Sequence, residues 1–379
     1  MAVEPPADGA RAAEPNPIAG YEDWPAAARS AEPFVGPDEA STTLGRLLGL
    51  PRLQRLPPVV EEGSQTVDGV TIRRLRWSVG YGPDTTAWLL RPAGVRRPLP
   101  GVLGMHCHGG IRSVGAEQLV DLGTEASARA VQLRSTWYAG RTPANDLARR
   151  GHAVLVHDTF SWGSRRFDLS RPAPKLAALL AAQEALWREE GVQPSEAERF
   201  DFASGLHEET LAKAAGVLGQ TFAGLVLADD LVALGVLAAD PGTDPEHLGT
   251  FGFSGGGGRS LLLAALDHRV TAAVVTCMMA TFGSLVPSRL EAHSWLLHVP
   301  GLWSFSDWPD LTGLGRARFL VQYAETDALF PPAGMREAHA RLQRLHAGGT
   351  RYRASFSPGG HAFDAAMQDE AWLFLAEAS

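Results

Sequence analysis

The 379-residue chain has only two cysteines, Cys107 and Cys277, and only two lysines, Lys175 and Lys213. Two cysteines are too few for a disulfide scaffold and point to a reducing compartment. No stretch reaches the roughly 20 apolar residues of a membrane-spanning helix. No segment concentrates charge of one sign, and 34 basic against 42 acidic side chains leave a net charge of −8. An acidic chain without a basic stripe argues against nucleic acid and anionic membrane surfaces as partners. The opening MAVEPPADGARAAEPNP shows no basic and no apolar leader region, so a cytoplasmic location is expected. With 45% hydrophobic and 20% charged residues, a globular protein remains.

Residues 1–64 read as an arm, rich in Pro and Ala at first and then helical, that packs on the body or on a partner. From Thr66 onward the pattern changes. Val67–Ser78 and Thr85–Arg91 read as an antiparallel hairpin. Short apolar runs then follow at Gly101–His106, Ala153–His157, Leu248–Phe253, Val270–Cys277, Phe319–Tyr323 and Tyr352–Phe356. Helical stretches separate most of them, so the pattern predicts an α/β fold: a mostly parallel central sheet of about eight strands with helices on both faces. Two insertions, 161–218 and 281–315, follow strand C-termini, where such sheets bind ligands. The first is helical and charged, which suits a solvated lid or a subunit contact. The second is rich in Trp and Pro.

Gly252-Phe253-Ser254-Gly255-Gly256 matches G-x-S-x-G. A strand precedes it and a helix follows it, the setting of a nucleophile turn. Small neighbours let a strained serine project its hydroxyl, and the Gly255 N–H at the helix start is free to meet a developing oxyanion. A phosphate-binding loop would also be glycine-rich, but it would require a lysine that is missing here. A serine nucleophile needs a base and an orienting carboxylate. His361 follows the last strand and is the expected base, ahead of His268, His293, His298 and His346. Asp327 follows the preceding strand and is the expected acid, with Glu325 as the alternative.

His106-Cys107-His108-Gly109-Gly110 stands where a second oxyanion donor is expected, from the backbone of His108 or Gly109. The same His-x-His pattern at a strand end also suits a metal, because positions i and i+2 share a side. Trp162, Trp295, Trp303 and Trp308 are candidates for the pocket wall. The last three, with Phe305, equally suit a satellite core. Arg165 and Arg166 suit salt bridges that hold a loop. The adjacent Asp229 and Asp230 read as a solvated or capped pair, and Cys277 as core.

Taken in order, the 106–110 loop, LARRGHAVLVHD at 147–158, the stretch from Ala228 to Phe253, the 252–256 turn, 324–331 and Gly359-Gly360-His361 resemble the α/β-hydrolase superfamily. The resemblance covers residues 65–379. It is strongest to the branch of dienelactone-hydrolase-like and acetyl-xylan-esterase-like proteins. True dienelactone hydrolases use a cysteine nucleophile where this chain has Ser254, which favours an ordinary ester. The implied function is a serine hydrolase that cleaves a small-molecule carboxylic ester and needs no cofactor. Acyl transfer and amide or C–C bond hydrolysis use the same three groups. A metal-dependent hydrolase built on His106 and His108, and a catalytically silent binding module, are alternatives of other classes. A homo-oligomer is left open.

Overall fold

The computed structural model describes residues 16–377. Nine strands form one sheet: β1 (Val60–Val67), β2 (Val70–Trp77), β3 (Thr85–Pro92), β4 (Leu99–Met105), β5 (Ala153–His157), β6 (Thr243–Phe253), β7 (Val270–Thr276), β8 (Arg318–Ala324) and β9 (Tyr352–Ser357). Their order across the sheet is β1-β2-β3-β5-β4-β6-β7-β8-β9. β1, β2, β3 and β5 pair antiparallel in turn, and every pairing from β5 to β9 is parallel.

The ninth strand is β1, which the sequence pattern misses. Val-Glu-Glu-Gly-Ser-Gln-Thr-Val is an exposed edge strand with no buried face, so it lacks the apolar alternation that marks a half-buried strand. It joins β2 through Asp68 and Gly69, both at positive φ, the geometry of a tight hairpin turn. Since β1 runs across residues 64 and 65, the sheet begins before the end of the expected arm.

Among the described residues the helices are α1 (Trp24–Ser30), α2 (Glu39–Leu48), α3 (Ala128–Trp137), α4 (Pro143–Arg149), α5 (Pro174–Glu189), α6 (Glu196–Val217), α7 (Phe222–Ala239), α8 (Gly255–Leu266), α9 (Phe282–Leu285), α10 (Leu302–Phe305), α11 (Pro332–Leu345) and α12 (Ala365–Glu377). Alternate strand residues face opposite layers. Leu103, Met105, Leu155, Val275 and Val321 pack with α2, α7, α8 and α11. Val102, Val154, Val156, Val274 and Leu320 pack with α4 and α12. The central helix α7 is long and apolar enough to cross a membrane, but 83% of it is buried inside the protein. A helix covered on all sides has no need of a polar face.

The expected arm packs on the body from Asn16 onward: the buried Asn16 has its N–H bonded to the Arg171 carbonyl at 2.9 Å. Tyr21 and Trp24 are fully buried with Phe160, Trp162, Phe167 and Phe222, and the Tyr21 ring lies 4.6 Å from Phe160. Residues 1–15 of the arm lie outside the described residues.

Candidate active site

The parallel strands deliver their C-terminal ends to one edge of the sheet, and the candidate site is assembled there. β6 ends in a sharp turn at Ser254, whose φ of 55° and ψ of −126° put a non-glycine residue in left-handed space. Such a conformation costs about 1–3 kcal/mol and persists only where the surroundings impose it. A Cβ on Gly252 would stand 2.1 Å from the Gly256 carbonyl oxygen, and one on Gly256 would stand 2.2 Å from that of Met105. The spacing of glycines in the sequence thus follows from backbone approaching backbone. The Ser254 N–H is bonded to the Thr276 carbonyl at 2.8 Å, which ties the turn to the end of β7.

The loop after β9 brings His361 over this turn. The Ser254 hydroxyl lies 2.8 Å from His361 Nε2, and His361 Nδ1 lies 2.6 Å from Asp327 Oδ2. A carboxylate only accepts, so the proton sits on Nδ1 and Nε2 is left to accept from the serine. Asp327 is buried and its other oxygen accepts from the Leu329 N–H at 2.9 Å. Glu325, the alternative acid, is exposed to solvent. Cys277, at a φ of 51°, is buried under the pair. Its Sγ and the ligating atoms of Asp327 and His361 lie within 4.8 Å of one another. Burial and the neighbouring Asp327 push its thiol pKa up, so it stays protonated.

Opposite the imidazole, the 106–110 loop approaches the start of α8. A Cβ on Gly255 would stand 3.2 Å from the His108 backbone nitrogen, so the two backbone segments are close neighbours. The Gly110 N–H is already bonded to His108 Nδ1 at 3.0 Å, which leaves His108 and Gly109 as the donors of that loop. Because Nδ1 accepts, His108 carries its proton on Nε2 and donates it to Glu208 Oε2 at 3.0 Å. His106 does not turn toward His108: it is buried and its Nδ1 meets the Cys107 carbonyl at 2.9 Å. Burial holds its pKa well below the ordinary histidine value. Neither histidine belongs to a group of three ligating side chains among the described residues.

Glu208, in α6, gave no signal in the sequence. Its carboxylate is buried, pairs with the fully buried Arg112, and accepts from His108 Nε2 and from the Trp295 N–H at 2.7 Å. Burial alone would raise this carboxyl, but Arg112 and His108 outweigh it and hold the pKa far below the usual range. One side chain therefore joins both insertions to the 106–110 loop. The first insertion backs the 106–110 loop, with Ala203, His207, Glu208 and Leu211 of α6 buried, although none of its residues lines the cavity over Ser254.

A cavity of about 250 Å³ opens over Ser254. His108, Trp137, Met278, His293, Leu296 and Leu329 are among the residues that wall it. The expected tryptophans do not line it. Trp162 is buried under the loop, with its Nε1–H toward the His108 carbonyl and Arg112 4.7 Å above its ring. Trp308 is buried behind Met278, to whose carbonyl it donates at 3.0 Å. Trp303 is 53% and Trp295 37% exposed. The second insertion does border the cavity, but through residues 292–294 and the leucines 296 and 297. Trp137, at the end of α3, lies in a stretch with no motif; its carbonyl accepts from the Phe363 N–H at 2.8 Å.

Beneath the site the expectation for Asp229 and Asp230 is corrected. Both are buried. Asp229 pairs with Arg165 at 2.8 Å, and Asp230 with Arg259 at 2.6 Å and with His157 at 2.9 Å. Arg259 also donates to the His106 carbonyl at 3.2 Å, which fastens α8 to the 106–110 loop. A buried charge without a partner is too costly to keep, and the distant partners are invisible in local sequence.

No protein-family model matches the chain. It is 24% identical over 294 residues to the Bacillus subtilis (strain 168) protein named "Putative hydrolase YtaP", covering 76% of this chain and 82% of that one. Among solved structures, a Bacteroides fragilis protein named as a "putative acetyl xylan esterase" superposes with a TM-score of 0.62 at 15% identity, over 88% of this chain and 80% of its own. A glucuronoyl esterase from Solibacter usitatus does so with a TM-score of 0.56 at 14% identity, over 93% and 91%. The strand order, the crossing helices and these superpositions agree: the chain has the α/β-hydrolase fold.

Proposed function

We propose that the protein is a serine hydrolase that cleaves a carboxylic ester through Ser254, His361 and Asp327. The observation that carries this reading is the continuous hydrogen-bond chain from the Ser254 hydroxyl to the Asp327 carboxylate on the wall of a cavity. Ser254 Oγ attacks the ester carbonyl carbon while its proton passes to His361 Nε2. Asp327 holds the imidazole and stabilises the imidazolium. The tetrahedral oxyanion is met by the N–H groups of Gly255 and His108, with Gly109 as the neighbouring donor. Collapse breaks the C–O bond, and His361 returns the proton to the leaving alkoxide. Water, deprotonated by the same imidazole, then cleaves the acyl-serine. The names of the similar proteins, hydrolases and esterases, favour ester cleavage over the other reactions such a triad can run. His106 and His108 have separate partners, which disfavours the metal-dependent alternative for that pair.

A fluorophosphonate probe is expected to label Ser254, and Ser254→Ala to lose both the label and p-nitrophenyl acetate turnover, the latter by on the order of 10⁴-fold. Undiminished turnover in that variant would overturn the reading.

A further inference from the structure

Two polar side chains of the cavity, His293 and Ser294, have hydrogen-bonding capacity that the proposed mechanism leaves open, and His293 is the one with a free acceptor on a fixed ring. Ser254 and His361 are bonded to each other, and both ring nitrogens of His108 are taken, by Gly110 and Glu208. His293, which also lines the cavity, places Nε2 3.1 Å from the Leu329 carbonyl. A carbonyl only accepts, so His293 carries its proton on Nε2 and presents a lone pair at Nδ1. Burial lowers the pKa of this imidazole, so the neutral form persists at neutral pH. No group among the described residues donates to Nδ1, nor is that atom among those sealed from solvent without a partner.

The anchoring of His293 decides which part of a substrate it faces. Leu329, whose carbonyl holds the ring, uses its own N–H to bond Asp327. His293 is thus fixed to the turn that carries the acid, on the imidazole side of the cavity. The His108–Gly255 peptides occupy the oxyanion side. His361 must protonate the leaving oxygen, so the alcohol portion of an ester lies on the imidazole side as well.

We propose that His293 is a specificity-determining residue whose Nδ1 accepts a hydrogen bond from a hydroxyl on the alcohol portion of the ester. This inference rests on the serine-esterase reading. A neutral acceptor has no attraction for a carboxylate or phosphate, and an alkyl group in that place would leave the nitrogen unpaired when the cavity closes on substrate. The favoured leaving group is therefore a diol or polyol with a second hydroxyl a few atoms from the ester oxygen. Ser294, the adjoining wall residue, has a hydroxyl that accepts from the Leu296 N–H at 3.1 Å and keeps its own proton free to donate.

The test compares 2-hydroxyethyl acetate with 2-methoxyethyl acetate, which have the same acyl group and leaving oxygens of similar reactivity but differ in the donor. Wild-type kcat/KM is expected to favour the hydroxyl ester by about tenfold, the usual worth of one such bond. His293→Phe should bring the two esters level, and His293→Gln, which keeps an acceptor, should restore most of the preference. Fluorophosphonate labelling of Ser254 should persist in all three proteins. A wild-type ratio near one, or an undiminished ratio in His293→Phe with labelling intact, overturns the assignment of His293 alone. Absence of labelling and of turnover of both esters in the wild type would instead overturn the esterase reading and this inference with it.

Discussion

The turn at residues 252–256 and the insertion at 281–315 border the same cavity, yet they reach it by different physics. The turn is shaped by its own backbone: glycines stand where a Cβ would strike a carbonyl, and the serine is held at positive φ between a strand and a helix. The insertion is shaped by what it lands on. Its tryptophans are its most conspicuous residues, but one is buried behind Met278 and two are exposed on the outer side, while two leucines, a histidine and a serine face the space above Ser254. A constraint that is local in sequence can be read from a motif. A side chain's destination depends on which surface it meets.

Substitutions can break or sharpen this contrast. Trp308→Ala removes a fully buried indole and its hydrogen bond, so a loss of about 3–5 kcal/mol in unfolding free energy is expected by chemical denaturation. Trp303→Ala, made as its control on a half-exposed site, should change stability by no more than about 0.5 kcal/mol. Equal losses in the two variants would mean that the insertion packs as one unit. Gly256→Ala forces the turn away from Met105, and misplacement of Ser254, the proposed nucleophile, is expected to lower kcat/KM about 100-fold, near 2.7 kcal/mol. Wild-type activity in that variant would show that the turn tolerates a side chain there and that its geometry is less local than argued.

A smaller effect is expected under the turn, at the pair that fastens α8. Burial alone would raise the Asp230 carboxyl, but Arg259 and His157 outweigh it and bring its pKa down from 3.8 to about 2. A folded-state pKa below the unfolded one stabilises the native protein above the unfolded value, and that stabilisation fades as pH falls through the folded one. Asp230 is therefore expected to contribute about 2 kcal/mol that is present above pH 4 and lost toward pH 2. Asp230→Asn should flatten the fall of unfolding free energy over that window. An unchanged slope would place the acid sensitivity elsewhere.

The parallel strands were legible because each is buried on both faces and reads as a nearly unbroken apolar run. β1 was not, since none of its side chains is buried and most of them are polar. Asp327 was the expected acid, but Glu325, two residues away, remained as the alternative. The structure separates them because the bend after β8 buries Asp327 against His361 and turns Glu325 to solvent. Glu208, which holds His108, and Trp137, which lines the cavity, could not be found at all: each lies in a helix without a motif, about 46 and 117 residues before Ser254.

The sequence by itself determined the alternation of strand and helix, the mostly parallel sheet, the tight glycine turn that exposes Ser254, and the order serine, acid, histidine along successive strand ends. Those properties follow from periodicity, chain order and backbone sterics, which act over a few residues at a time. Only the tertiary structure decided which carboxylate meets the imidazole, where each indole is buried, how Asp229 and Asp230 are neutralised, and that one glutamate in α6 ties both insertions to the loop beside Gly255. Each of these depends on groups tens to hundreds of residues apart coming within hydrogen-bond distance. Burial then makes the pairing obligatory, because a charge or polar group left alone in the interior costs more than the fold can spare.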